Sequence, residues 1–310
     1  MQRPLTFVAA IAVFFVVALA PASFYSQAPA DGAGGQRGGR GGRGGRGGQP
    51  EAPPEPTPRL PDGKVNFGRV PGEKGVWDLP YIQNMGATNI FVGAPAPDPA
   101  ARGARGRGGL RGGAPSEPWV PFREWSAAVY NYNSLNESKY DPEGYCLPPG
   151  GPRLYATPYP MEMFHLPDRI IQIFEGGAHI WREIYMDGRP HPPKNAIKGS
   201  TWLGHSVGKW EGNDTLVVDV VGFNEGTWLD YYGHPHTDEL HVVEKFTRPN
   251  KGTLRYEALI DDPGAYTKPW SVAWNIPWDA TGELQEYICQ ENNKYLNSLK
   301  DDFGNPILDE

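Results

Sequence analysis

Apolar and polar positions alternate most plainly in KPWSVAWNIPWD (268–279). Trp270, Val272, Trp274, Ile276 and Trp278 share one parity, while Ser271, Ala273, Asn275, Pro277 and Asp279 share the other. Successive strand side chains point to opposite faces, so this stretch predicts a strand with one deeply buried, indole-rich face. Upstream, MEMFHL and RIIQIFE flank a Pro-Asp turn, and HIWREIYM runs to Asp187-Gly188. HSVGKWE and TLVVDVVGF flank Gly-Asn-Asp, and ELHVVEKFTR and TLRYEALID flank Pro-Asn-Lys-Gly. Each such pair reads as a hairpin, because turn residues sit between β-favouring runs. ELQEYICQ (283–290) reads as the last strand. The sum is roughly nine strands joined by mostly short links with no helices between them. That pattern predicts a mainly β fold, an antiparallel meander curled into a barrel or packed as a sandwich. The barrel is preferred, because closure removes exposed edges and can enclose a small ligand.

Before Pro160 the texture differs. FREWSAAVYNYNSL (122–135) places Phe122, Trp125 and Val129 at helical spacing and predicts one short amphipathic helix. The rest of 61–160 reads as proline-rich coil laid over the strands. The neighbouring charges Arg182/Glu183 and Glu244/Lys245 read most simply as strand-surface groups.

The first thirty residues carry an early Arg3, an apolar run from Leu5 to Ala20 and small-residue sites at Ala20-Pro21-Ala22 and Ala28-Pro29-Ala30. That order predicts a secretory signal peptide. The run is shorter than the roughly 20 residues needed to cross a bilayer, so no transmembrane segment is expected after cleavage. The expected location is the periplasm or the extracellular space of a bacterium. Cys146 and Cys289, the two cysteines of the chain, then read as one disulfide in an oxidising compartment.

Residues 31–60 form a Gly/Arg/Pro-rich island, read as a disordered linker, and ARGARGRGGLRGG (101–113) repeats the theme as a loop near 96–116. Strands are expected within 161–292 and a tail over 293–310, so 61–310 reads as a single β-rich domain. Residues 1–60 hold 6 of the 29 Lys+Arg and 3 of the 36 Asp+Glu, leaving 23 against 33 in the remainder. An acidic body with basic arms argues against a nucleic-acid groove. Anionic envelope polymers are the partner class that the Gly/Arg tracts would suit.

Several residues could carry chemistry. GHSVG (204–208) fits the nucleophile pattern of serine hydrolases, but no helix start follows Ser206, as that turn requires. In GHPHTDELHVVEKF (233–246), His234 and His236 would point to one side of an extended chain, with Asp238 on the same parity as third ligand of a divalent metal. The competing reading makes these histidines caps of a loop that Pro235 enters. Asp219 lies between Val217 and Val221, and a carboxylate so placed either faces water or has a partner. His241, or His205 from a neighbouring strand, could supply an acid–base pair with it. Asp261-Asp262-Pro263-Gly264 reads as a turn.

CLPPGGPR (146–153), DGRPHP (187–192), TWLGHSVGKWEGNDTLVVDVVGFNEGTWLD (201–230), GHPHTDELHVVEKF (233–246), IDDPGAYTKPW (260–270) and YICQENN (287–293) resemble a large family of exported bacterial β-rich proteins without an assigned reaction. The resemblance implies export and a β-rich fold, and carries over no catalytic residue. More distantly the strand pattern is similar to calycins, the lipocalin-like barrels. The expectation is therefore a calycin-like barrel that binds a small apolar or aromatic ligand through Trp270, Trp274, Trp278 and Tyr256. The alternative is a barrel enzyme, a hydrolase, lyase or isomerase, working through the His/Asp groups, with or without a metal.

Overall fold

The computed structural model describes residues 53–88, 120–136, 139–193, 201–291 and 293. The predicted signal peptide, most of the expected linker over 31–60, the 96–116 tract and all but residue 293 of the expected 293–310 tail lie outside the described residues.

The described chain is mainly β. Its nine strands are β1 (Val76–Trp77), β2 (Met161–His165), β3 (Arg169–Phe174), β4 (Trp181–Tyr185), β5 (His205–Glu211), β6 (Thr215–Val221), β7 (His241–Asn250), β8 (Thr253–Asp261) and β9 (Trp270–Asp279). They form one sheet in sequence order, and its hydrogen bonds run in a ring because β1 pairs with both β2 and β9. Eight of the nine coincide with runs predicted from alternation. The expected ninth, 283–290, is not a strand; the two-residue β1 takes that place in the ring. No helix among the described residues is long and apolar enough to cross a membrane.

One pairing departs from the expected antiparallel meander. β4 and β5 run parallel, in register at Ile184↔Ser206 and Tyr185↔Val207. A parallel partner needs a crossover connection rather than a tight turn, and residues 186–193 are the described part of it next to β4. The other ladders are antiparallel, and those from β5 to β9 are long, as in Val207↔Asp219, Asp219↔Val243 and Tyr256↔Trp274.

The tryptophan parity is realised. Trp270, Val272, Trp274 and Ile276 are buried, and Trp278 is partly so. Trp278 packs edge-on to Trp77 at 4.9 Å, and the Arg248 guanidinium lies over both rings, at 5.3 and 4.7 Å. Arg248 also donates to the carbonyls of Asn66 and Gly68 at 2.5 and 3.1 Å. These contacts pin the closure of the ring at β1–β9, where the backbone ladder is two residues wide.

The predicted helix is α1 (Glu124–Leu135), but it buries a different face. Ser126, Tyr130 and Asn133 are buried, while Trp125 and Val129 are 44% and 37% exposed. Ser126 Oγ donates to the Ala265 carbonyl at 2.5 Å and Asn133 Nδ2 to that of Gly233 at 3.0 Å. Satisfying buried loop carbonyls outweighs burying the larger apolar side chains, because an unpaired buried carbonyl is costly.

Cys146 and Cys289 lie at disulfide distance, with Cα atoms 5.6 Å apart and a sequence separation of 143. Closing a loop of that size removes about 5 kcal/mol of denatured-state entropy. Nearby, Arg153 makes a buried two-pronged bond with Asp141 at 2.8 and 2.6 Å. Part of the Pro-rich segment belongs to the body. Thr57 Oγ1 donates to the Arg248 carbonyl at 2.7 Å, and the Lys251 amide to that of Glu55 at 3.0 Å.

Candidate functional site

Two clusters of polar side chains mark the β4–β5 seam, one on each face of the sheet. The inner one is buried. Arg182 of β4 donates through Nε and Nη2 to Ser206 Oγ at 3.0 and 2.9 Å, through Nη1 to the Tyr155 hydroxyl at 2.7 Å, and through Nη2 to Glu244 Oε2 at 2.6 Å. Tyr256 donates to Glu244 Oε1 at 2.9 Å and Tyr155 to Gln172 Oε1 at 2.6 Å. Arg182 and Glu244 are 3% and 1% exposed. Burial, and then the Glu244 carboxylate, push both the Tyr155 and Tyr256 hydroxyls well above the usual phenol range, with Arg182 opposing. Both therefore remain neutral donors.

This corrects the surface reading of Arg182 and Glu244. Parity held the signal: Glu244 shares its face with Val242 and Phe246, and Arg182 with Ile184. It also disposes of the nucleophile reading of Ser206, whose hydroxyl accepts from a buried guanidinium inside a strand. The motif's glycines have backbone reasons. Gly204 has φ +69°, and a Cβ on Gly208 would stand 2.4 Å from Met186 Sδ and 2.8 Å from Ile184 Cγ2.

The outer cluster gathers histidines around Asp219. Register explains the convergence. Asp219 pairs with Val207 on one side and Val243 on the other, so His205 and His241 are its diagonal neighbours on the same face. His241 Nε2 lies 3.0 Å from Asp219 Oδ1. His205 does not touch Asp219. His191, from the crossover, stands between them, with Nε2 2.9 Å from Asp219 Oδ1 and Nδ1 2.8 Å from His205 Nδ1. The expected His241, Asp219 and His205 are thus brought together, on the outer face rather than inside the ring. His191 was missed, because a histidine in a Pro-flanked crossover carries no periodic signal. Burial first, then His191, lower the basicity of His205.

The histidines of GHPHT go elsewhere. His234 is fully buried, its Nδ1 2.7 Å from Asp230 Oδ2, and stacks on Phe122 at 5.4 Å. His236 Nε2 is 2.7 Å from Thr227 Oγ1, its Nδ1 is 3.1 Å from the Thr237 carbonyl, and burial lowers its basicity. Asp238 is exposed. The two rings thus hold separate loop partners. Among the described residues no group of three or more His, Cys, Asp or Glu is placed to hold a metal ion. Asp262 anchors the predicted turn, accepting from the Thr237 and Gly264 amides at 2.6 and 3.0 Å.

A cavity of about 550 Å³ opens where β4 and the residues before β5 diverge. Pro148, Ile180, Trp181, Trp202 and Leu203 form apolar walls, and Glu183, Tyr185 and His205 contribute polar edge. Arg182 and Ser206 also line it. Trp181 is 60% exposed. Trp270, Trp274, Trp278 and Tyr256 are absent from this lining; Trp270 and Tyr256 are fully buried in the core, as Trp274 nearly is. Comparisons with protein-family models, with curated proteins and with solved structures find no match to the chain.

Proposed function

We propose that this is an exported small-molecule-binding protein of the calycin-like barrel type, whose ligand is apolar or aromatic and sits in the cavity at the β4–β5 seam. The cavity carries the reading: its volume suits a small organic molecule, and its walls combine two tryptophans with a few polar groups. The ring of hydrogen-bonded strands supports the barrel, the apolar run after Arg3 supports export, and the quoted phrases support membership of the exported β-rich family. The binding residues proposed from the sequence shift accordingly, from the core tryptophans to Trp181 and Trp202.

The test is fluorescence titration of the purified protein with anilinonaphthalene sulfonate, an apolar aromatic probe. Saturable binding near one probe per chain is expected, weakened about tenfold or more by Trp202→Ala with the far-ultraviolet circular dichroism unchanged. Absence of saturable binding, or binding indifferent to both Trp181→Ala and Trp202→Ala, overturns the cavity as the site.

A further inference from the structure

We propose that His205 is a general base serving the seam cavity, positioned by His191 and Asp219, and that the bound molecule is one that gives up a proton there. The inference rests on the cavity being a ligand site and adds a reaction to it.

The hydrogen-bond directions follow from donor and acceptor counting. An ionised carboxylate only accepts, so Asp219 takes its bond from His191 Nε2–H. In a neutral imidazole the other nitrogen is then an acceptor, and His205 Nδ1–H supplies the proton between the rings. His205 is left with a lone pair on Nε2, which has no hydrogen-bond partner among the described residues. His205 lines the cavity, and its ring stacks on Tyr185 at 5.2 Å. Burial, His191 and Arg189 disfavour its charged form while Glu183 opposes them, so the resting state at neutral pH is the unprotonated base. When Nε2 takes a proton, the new imidazolium keeps its Nδ1–H bond to His191, and Asp219 stabilises the chain from the far end. His241 donates to Asp219 from the opposite side and holds the carboxylate in place. Carboxylate, orienting imidazole and reactive imidazole share the logic of a base held by a third group.

A proton-abstraction probe tests this without the natural ligand. Nitrobenzisoxazole is flat, aromatic and uncharged. Transfer of its ring C–H proton to His205 Nε2 lets the C–H electron pair form the nitrile as the N–O bond breaks. The product is a coloured phenolate, and no further reagent enters. The purified protein should exceed free imidazole at equal concentration by about 100-fold. His205→Gln should abolish the excess rate while saturable binding of anilinonaphthalene sulfonate persists. His191→Gln and Asp219→Asn should lower the rate roughly tenfold, again without loss of probe affinity. A long-range proton–nitrogen spectrum should show His205 as the Nδ1–H tautomer, with Asp219→Asn changing that signature; a merely structural Asp219 would leave it unmoved. Probe binding with no rate above imidazole, a His205→Gln variant as fast as the parent, or an Nε2–H tautomer each overturns the base. Loss of probe binding by the parent protein overturns the cavity instead.

Discussion

The run from β5 to β9 and the β4–β5 seam are built from one sheet and solve the same problem in opposite ways. From β5 through β9 the strands reach seven to ten residues, and antiparallel ladders satisfy the backbone over most of their length. Stability there comes from register and from a dry aromatic face. At the seam the ladder covers two register positions, and side chains do the tying. Arg182 reaches from β4 to Ser206 on β5 and across the interior to Glu244 on β7. The strand ends that diverge leave the cavity, and the crossover they require carries His191. A place where the sheet pairs over only two positions is therefore where chemistry can be housed.

Four measurements bear on that contrast. The largest effect is expected inside the seam. Glu244→Ala leaves the Arg182 guanidinium buried without its counter-ion and should cost about 4–5 kcal/mol in urea unfolding. The paired change Arg182→Met with Glu244→Leu should recover most of that loss, since both charges go together. Next, Trp274→Ala in the continuous sheet should cost about 3–4 kcal/mol, while Trp202→Ala at the seam should cost under about 1 kcal/mol and weaken probe binding. Equal stability losses would erase the distinction between core and cavity tryptophans.

Third comes pH. Burial pushes His165 of β2 down to about 4, and its Nε2 accepts from the Phe67 amide at 3.0 Å. The unfolded chain takes up this proton near the ordinary histidine value of about 6.5. The contribution is therefore complete above that pH and is lost as pH falls towards 4, by on the order of 2–3 kcal/mol. His205 and His236, shifted in the same direction, steepen the same slope. Urea unfolding at pH 7 and pH 4.5 should show the loss, and His165→Gln should flatten it. The smallest effect is at the surface: Lys245→Ala removes an exposed bridge to Glu211, 3.2 Å long, and should change stability by less than about 0.5 kcal/mol.

Much of the fold was legible because the signal is local. Alternation in 268–279 placed the indoles of Trp270 and Trp274 inside, and turn residues such as Gly212-Asn213-Asp214 separated the strands correctly. The pairing of Asp219 with His241 was within reach as one of two options, since a carboxylate among β-branched residues either faces water or has a partner, and Asp219 does both. The missed features share a different cause. The buried face of α1 was decided by carbonyls of Gly233 and Ala265 that lie some hundred residues away in the chain. Glu244 was mistaken for a surface charge because its partner, Arg182, is 62 residues distant. Parity alone could say that it faced inward, and only a partner could make that tolerable.

By itself the chain's order of residues determined eight of the nine strands, the inward tryptophan face of β9 and the hairpin turns, since each depends on neighbours within a few positions. It also determined the cysteine pair, because the chain holds two cysteines. The parallel seam, its cavity, the interior Arg182–Glu244 bond and the insertion of His191 between His205 and Asp219 were decided only on closing the ring. These features bring together groups from separate strands and the crossover, and no pattern along one segment records where another will come to rest.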